Sequence, residues 1–355
     1  MRTQNAQVIK PNRRTTALLL LVLLGGFGLA AALLLWLDAA TANSMGLSLP
    51  NKLQDLITLT LSMVVEAMPF VILGASISAI IRLFASAQRL TKLLPKRPLL
   101  RRLSISLLGT FMPVCECGNV PVARGLVIQG LSVAESMTFL LAAPVINPVT
   151  FLSTSQAFGL DTSIVWLRMG GALLIANLVG GLVALYKNQA ELVSKGFYET
   201  LCEVEASDGH HHDGHHVDHH HTSRWQEGIG VFRDEVSLML RMLCLGALIA
   251  ALTQVFVPRE VLTGLGNNPV LSILAMISLA FIISICSNVD AFFALAYSNT
   301  FTAGSIVAFL VFGPMIDIKM LALMRTTYKA RLLAMMTLMV VLTSILIGLV
   351  VNYAL

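Results

Sequence analysis

The stretch MPVCECGNVPVARG, residues 112–125, sits in an apolar part of the chain, yet it holds two cysteines, a glutamate, an arginine, two glycines and two prolines. How it is read decides the fold. An undisturbed crossing helix needs about 20 predominantly apolar residues. Gly118 and Pro121 instead favour a break, with Asn119 as N-cap of a second half-helix that holds Pro121 in its first turn. Backbone left unpaired at membrane depth is tolerated only where protein or a water-filled cavity covers it. A break here therefore predicts a site.

Working outward, 56% of the 355 residues are hydrophobic and 12% charged, about half the charged share of soluble domains. The chain reads as an all-α integral membrane protein of about 7–9 membrane segments, a number read from the apolar segments 17–37, 55–83, 103–130, 133–155, 162–186, 234–257, 268–299, 301–322 and 332–354. Residues 17–37 exceed a signal-peptide core and are read as a retained first span behind a cytoplasmic N-terminus. The net charge of +5 sits in a few loops, so it reports orientation in a lipid bilayer and excludes a nucleic-acid partner. Five dispersed cysteines do not make a disulfide framework.

The polar interruption at 187–233 divides the chain into an N-terminal segment (1–54), a membrane repeat (55–186), a loop, and a second repeat (234–355). Cys117-Gly118-Asn119-Val120 matches Cys286-Ser287-Asn288-Val289, and Ala143-Pro144-Val145-Ile146-Asn147 matches Gly313-Pro314-Met315-Ile316-Asp317. The two matches differ in offset by one residue, so one insertion aligns both: a weakly similar internal duplication. Lysine and arginine crowd into the N-terminus, 82–102, 187–233 and 323–331, and are scarce in 38–54, 156–161 and 258–267. If 103–130 and 268–299 each enter and return on one side, every rich loop faces the cytoplasm and the halves are inverted, the plan of many secondary transporters. Single crossings would make the halves parallel; the re-entrant, inverted arrangement is the expectation.

In that arrangement Asn288 caps a half-helix as Asn119 does, and Cys117 and Cys286 sit just ahead of helix N-termini, where the dipole favours thiolates. Cys115 and Cys117 reach one ion if the backbone between them is not helical, and Cys286 adds a third sulfur; thiolates favour copper(I), zinc and trivalent arsenic species. An isolated membrane cysteine is ordinarily a small packing residue, but a Cys-x-Cys at a break, with a third cysteine, Cys286, repeated in register with Cys117, points to a ligand set. Glu116, Asn119, Asn288, Asn147 and Asp317 complete the candidate substrate-binding residues, with Glu66 and Asp290 for proton coupling or cation contact. Arg124 is expected to neutralise Glu116 or bind an anion; Arg168, Arg241 and Lys319 are expected to snorkel toward an interface. Met112, Met239, Met242 and Met315 are read as packing.

All eight histidines fall in DGHHHDGHHVDHHH, residues 208–221. His210, His211, His212, His215, His216, His219, His220 and His221, with Asp213 and Asp218 between them, form a chelating tract suited to buffering, sensing or delivering zinc, nickel, cobalt or copper(II). No tightly bound cofactor is expected; zinc or copper enters as substrate or loop ligand.

PVCECGNVPVARGLVIQG (113–130), FLLAAPVINPVTF (139–151), CSNVDAFFALAYSNTF (286–301) and FGPMIDIKM (312–320) together resemble a broad bacterial family of predicted permeases. That family includes exporters of trivalent organoarsenicals and members described as copper or zinc efflux transporters. The resemblance spans about residues 55–354 and implies substrate contact for Cys115 and Cys117, although Val114 separates Pro113 from the first cysteine where the family motif has Pro-Cys-x-Cys-Gly. It implies a multi-pass inner-membrane permease, with the histidine tract tilting the cargo toward zinc or copper and a trivalent organoarsenical as the rival. A partner subunit or homo-oligomer is left open. No GxxxxGK[ST] motif is present, so energy must come from an ion gradient or a separate ATPase. From other classes, an intramembrane thiol oxidoreductase needs a strained Cys-x-Cys disulfide, and a membrane metal sensor needs an output domain that the chain does not display; the protein is read as not an enzyme.

Overall fold

The computed structural model describes residues 51–84, 94–111, 115–160, 162–209, 224–256 and 268–354. The expected first span, the loop 258–267 and the histidine tract with Asp213 and Asp218 lie outside the described residues, as does Met112. The described residues form helices and turns, apart from one isolated bridge between Val193 and Tyr328.

The first half comprises α1 (Asn51–Phe84), α2 (Pro98–Ser106) continued by a 3-10 turn to Phe111, α3 (Glu116–Ile128), α4 (Val133–Ala142), α5 (Pro148–Phe158) and α6 (Ser163–Ala184). After α7 (Lys195–Gly209), the second half repeats that order as α8 (Arg224–Phe256), α9 (Pro269–Ile283), α10 (Asp290–Ala296), α11 (Ala303–Phe312), α12 (Ile318–Met324) and α13 (Ala330–Ala354). Among the described residues α1, α6, α8 and α13 are long and apolar enough to cross a membrane. The expected segments 103–130, 133–155, 268–299 and 301–322 are each broken in two.

The breaks have local causes. Ser132 and Thr302 cap α4 and α11 by accepting the amide three residues on, Ser132 within a full capping box with Glu135. Asn147 and Asp317 do the same for α5 and α12, accepting from Thr150 and Met320. Each cap satisfies amides that water cannot reach. Ser284 ends α9 in the left-handed region (φ 51°) and turns the chain toward Cys286.

Contacts fix the depth of each element. Arg101 of α2 pairs with Glu135 of α4, Arg102 reaches the Gly180 carbonyl of α6, and Gln129 after α3 donates to the Arg82 carbonyl of α1 (3.2 Å). The ends of α1, α3 and α6 and the starts of α2 and α4 therefore share one level, and residues 98–130 enter and return on the same side. The Lys329 amide donates to the Leu192 carbonyl just past α6, so α13 starts on that level and crosses to the other. At the far end of α13, Asn352 accepts from the Gly304 amide of α11 (2.8 Å) and donates to the Pro269 carbonyl of α9, while the Ser272 and Thr302 hydroxyls lie 3.4 Å apart. Residues 269–302 thus re-enter from the opposite side. The halves are inverted, and among the described residues Arg82 and the lysine- and arginine-rich segments 94–102, 187–195 and 325–331 fall on one face, called here the basic face.

Two small-residue crossings draw elements together. A Cβ on Gly74 of α1 would lie 2.1 Å from the Gly118 carbonyl oxygen of α3, and one on Gly304 of α11 would lie 2.0 Å from that of Gly348 on α13. The first of these presses α1 against the half-helix that carries the cysteines.

Candidate functional site

α3 begins earlier than its glycine and proline suggest. Cys115 is its N-cap, and the Cys115 carbonyl accepts from the amides of Gly118 (3.1 Å) and Asn119 (3.3 Å). The expected cap at Asn119 is corrected: that residue lies inside α3, fully buried, and neither polar atom of its side chain has a hydrogen-bond partner. Asn288 does not cap either, since Val289 occupies the N-cap of α10 without a side-chain bond. The physical reason is that the amides of a first turn need no intrahelical partner, so helix can begin at the cysteines. Pro121 then only withholds an amide from the Cys117 carbonyl, freeing that acceptor beside the site. The Cys286 carbonyl accepts from the amides of Val289 (3.1 Å) and Asp290 (3.2 Å), as that of Cys115 does from residues three and four ahead. By turn geometry the counterpart of Cys286 is Cys115, two residues from the sequence match.

The two tips meet. One ligand atom each from Cys115, Glu116 and Cys286 lie within 4.8 Å of one another, all three residues buried. Cys286 Sγ is 3.9 Å from Glu116 Oε2, to which Ser287 Oγ donates at 3.4 Å. Cys115 also interacts with Cys117. These groups border a cavity of about 10 Å³, room for one water-sized particle, closed from α1 by Met63, Glu66 and Phe70 and from α12 by Lys319. Sulfur from both halves, carboxylates from the first and the lysine of the second thus surround a space the size of a single ion.

The surroundings differ on the two sides. On the basic face Arg124 of α3 pairs with Glu235 of α8 (2.8 Å), bonds Thr326 and Thr327, and lies over the Phe197 ring at 4.6 Å. Ser194 bonds the carbonyl of Thr326 (2.8 Å) and strengthens this plug. On the other side an open cleft of about 470 Å³ between α1 and α8 is lined by Lys52, Asp55, Thr58, Leu59, Gln254 and Val255. Asp55, Leu59, Ser62 and Glu66 recur at helical spacing along α1, a polar-edged stripe from that cleft to the cysteines. Glu66 is exposed. A carboxylate at bilayer depth costs about 2.5–3.5 kcal/mol on insertion scales, so the stripe faces water or a partner.

A family model described as "Predicted permease" (ArsP_1) matches residues 52–353, both halves and the whole cysteine site. The chain belongs to this permease family. The permease is 37% identical over 274 residues to "UPF0718 protein YcgR" of Bacillus subtilis (strain 168), covering 76% of this chain and 88% of the relative. It is 33% identical over 283 residues to a Streptococcus mutans serotype c protein named "Putative two-component membrane permease complex subunit", covering 80% and 90%. No solved structure matches it.

Within the permease, five of the sequence-derived candidates converge: Cys115, Glu116, Cys117, Cys286 and Glu66. Asp317 stands behind them, Oδ1 capping α12 and Oδ2 4.0 Å from Lys319 Nζ. Asn147 is elsewhere, its side chain spent on capping α5 and on the Pro144 carbonyl. Asp290 is also apart, in a buried ion pair with Arg168 (2.6 Å), which donates to Thr154 as well. Arg168 is therefore not snorkelling, because its partner on α10 lies at its own depth; Arg241 is exposed. Arg124 does not meet Glu116, because it points to the basic face. Lys319 was misplaced as well: it is buried at 2% exposure in the cysteine cavity. A signal was available: in the repeat, position 319 matches Val149, so this lysine is particular to one half.

Proposed function

We propose that this permease carries a thiophilic metal ion, zinc or copper(I), outward across the inner membrane by alternating access around Cys115, Glu116 and Cys286. The observation that carries the reading is the convergence of these ligands from two inverted half-helix tips on an ion-sized cavity. Thiolates select soft and borderline ions, and a carboxylate completes the shell for zinc. The plug around Arg124 and the open cleft opposite support a carrier caught closed on its basic face. On this reading that face is cytoplasmic, because lysine and arginine collect there, and the N-terminus and the histidine tract are assigned to the same side by their own loop charge and composition. The tract gathers or buffers cargo ahead of the carrier. Glu66, on the path and exposed, is the coupling carboxylate; Asp290 exchanges its pairing with Arg168 as α10 moves. The name of the Streptococcus relative supports a partner subunit.

Everted membrane vesicles offered zinc, copper, cobalt, nickel and a trivalent arsenical test the reading by elemental mass spectrometry. Uptake of zinc or copper, lost in the Cys115→Ala/Cys117→Ala variant, is expected; no cysteine-dependent uptake of either contradicts it. A second reading, export of a trivalent organoarsenical, is favoured by the clustering of Cys117 with the other two sulfurs. Deleting 208–221 separates the two: arsenical resistance survives the deletion, whereas metal handling changes.

A further inference from the structure

We propose that Lys319 is a tethered counter-cation: its ammonium occupies the cysteine cavity in place of the cargo ion and moves aside to Asp317 when cargo binds. The inference rests on the reading of that cavity as a metal-cation site and adds the device that governs how tightly the cation is held and released.

Lys319 is the second residue of α12, and its side chain reaches a cavity bordered by the cysteines and by the carboxylates of Glu66 and Glu116. It has no route to solvent past α8, which crosses directly over it. A Cβ at Gly246 would lie 3.1 Å from Lys319 Cα and 2.9 Å from Ala322 Cβ, so only glycine allows this approach. The fold does not require a cation here. In the first half the same place, two residues after the cap, is taken by Val149, which is apolar and exposed.

The electrostatic argument is direct. Buried carboxylates without a cation are costly, because the low dielectric offers little compensation for lost water. The ammonium supplies that compensation when the cavity holds no metal. A divalent ion arriving at the sulfurs brings two further positive charges into the same small space, so its binding is coupled to withdrawal of the ammonium. Asp317 provides the place to withdraw to. Its Oδ1 is committed to the Met320 amide at 2.6 Å, whereas Oδ2 has no hydrogen-bond partner and lies 4.0 Å from Lys319 Nζ. A carrier of this kind keeps its charge balanced on the empty return step, and the same competition helps expel the cargo.

The test uses the full-length purified permease and cadmium(II), whose thiolate complexes absorb in the ultraviolet. Lys319→Met is expected to tighten cadmium binding at least tenfold, equivalent to about 1.4 kcal/mol; Lys319→Arg, which keeps the charge, stays near the wild-type affinity. In everted vesicles Lys319→Met is expected to lower KM and kcat together, a split that mere loss of packing does not give. Lys319→Gln serves if the methionine variant does not fold, folding being checked by the melting temperature in detergent. Equal or weaker cadmium binding in the folded neutral variants overturns the inference, and so does wild-type turnover. Wild-type protein whose cadmium absorption ignores Cys115→Ala/Cys117→Ala overturns the reading of the cavity itself, a failure distinguishable from the first.

Discussion

At the scale of single residues, the buried Arg124–Glu235 and Arg168–Asp290 pairs do different work from the cysteine cluster. Arg124 closes the basic face against Glu235, while Arg168 ties α6 to α10 through Asp290. Removing one partner of a buried pair leaves the other charge uncompensated, at a cost of about 3–5 kcal/mol, whereas replacing both by apolar groups is often near neutral. Arg168→Met is therefore expected to lower the melting temperature sharply in detergent, and Arg168→Met/Asp290→Leu to restore most of it; equal loss in both would deny the pair its role. For the plug the readout is access. In Arg124→Met, Cys117 should react with a membrane-impermeant maleimide added from the basic face of everted vesicles, where the wild-type thiol, 1% exposed, does not. Glu116→Gln keeps shape but removes a carboxylate 3.9 Å from Cys286 Sγ, so cargo affinity should fall with the fold intact.

At the scale of elements, the site depends on how closely α1 rides over the start of α3. Gly74→Ala places a methyl against the Gly118 carbonyl, and backbone cannot yield as a side-chain tip can. Overpacking of this kind costs about 1–3 kcal/mol; transport should fall further than stability, because α1 moves Glu66 away from the cysteines. The repeat of these elements was legible in the sequence through the Cys-x-Asn-Val matches and the Pro-containing matches that end at Asn147 and Asp317. The positions of the breaks were not. Asn119 looks like a cap because it precedes Pro121 by two residues, yet helix starts at Glu116, where amides need no partner and the tip can face the cavity. Arg168 and Lys319 were misplaced for a related reason. Their meaning lies in Asp290, 122 positions along the chain, and in a cavity assembled from four elements, and local composition carries neither.

At the scale of the whole molecule, inversion of the halves makes two faces chemically unlike with one site between them. Cysteines introduced singly in 156–161 and 258–267 should label from outside intact cells, and those in 94–97 only in everted vesicles; mixed labelling would contradict the shared levels set by the Arg101–Glu135 and Asn352–Gly304 contacts. The lysine and arginine distribution anticipated the inversion of the halves, because loop charge follows topology more directly than any helix boundary does. The central claim is that sulfur from both halves holds the cargo. X-ray absorption of zinc bound to the purified permease tests it most directly. The account predicts at least two sulfur ligands near the usual zinc–sulfur distance of about 2.3 Å, one fewer in Cys286→Ser and one fewer in Cys115→Ser. A shell of only nitrogen and oxygen, or a sulfur count unchanged by Cys286→Ser, would contradict it.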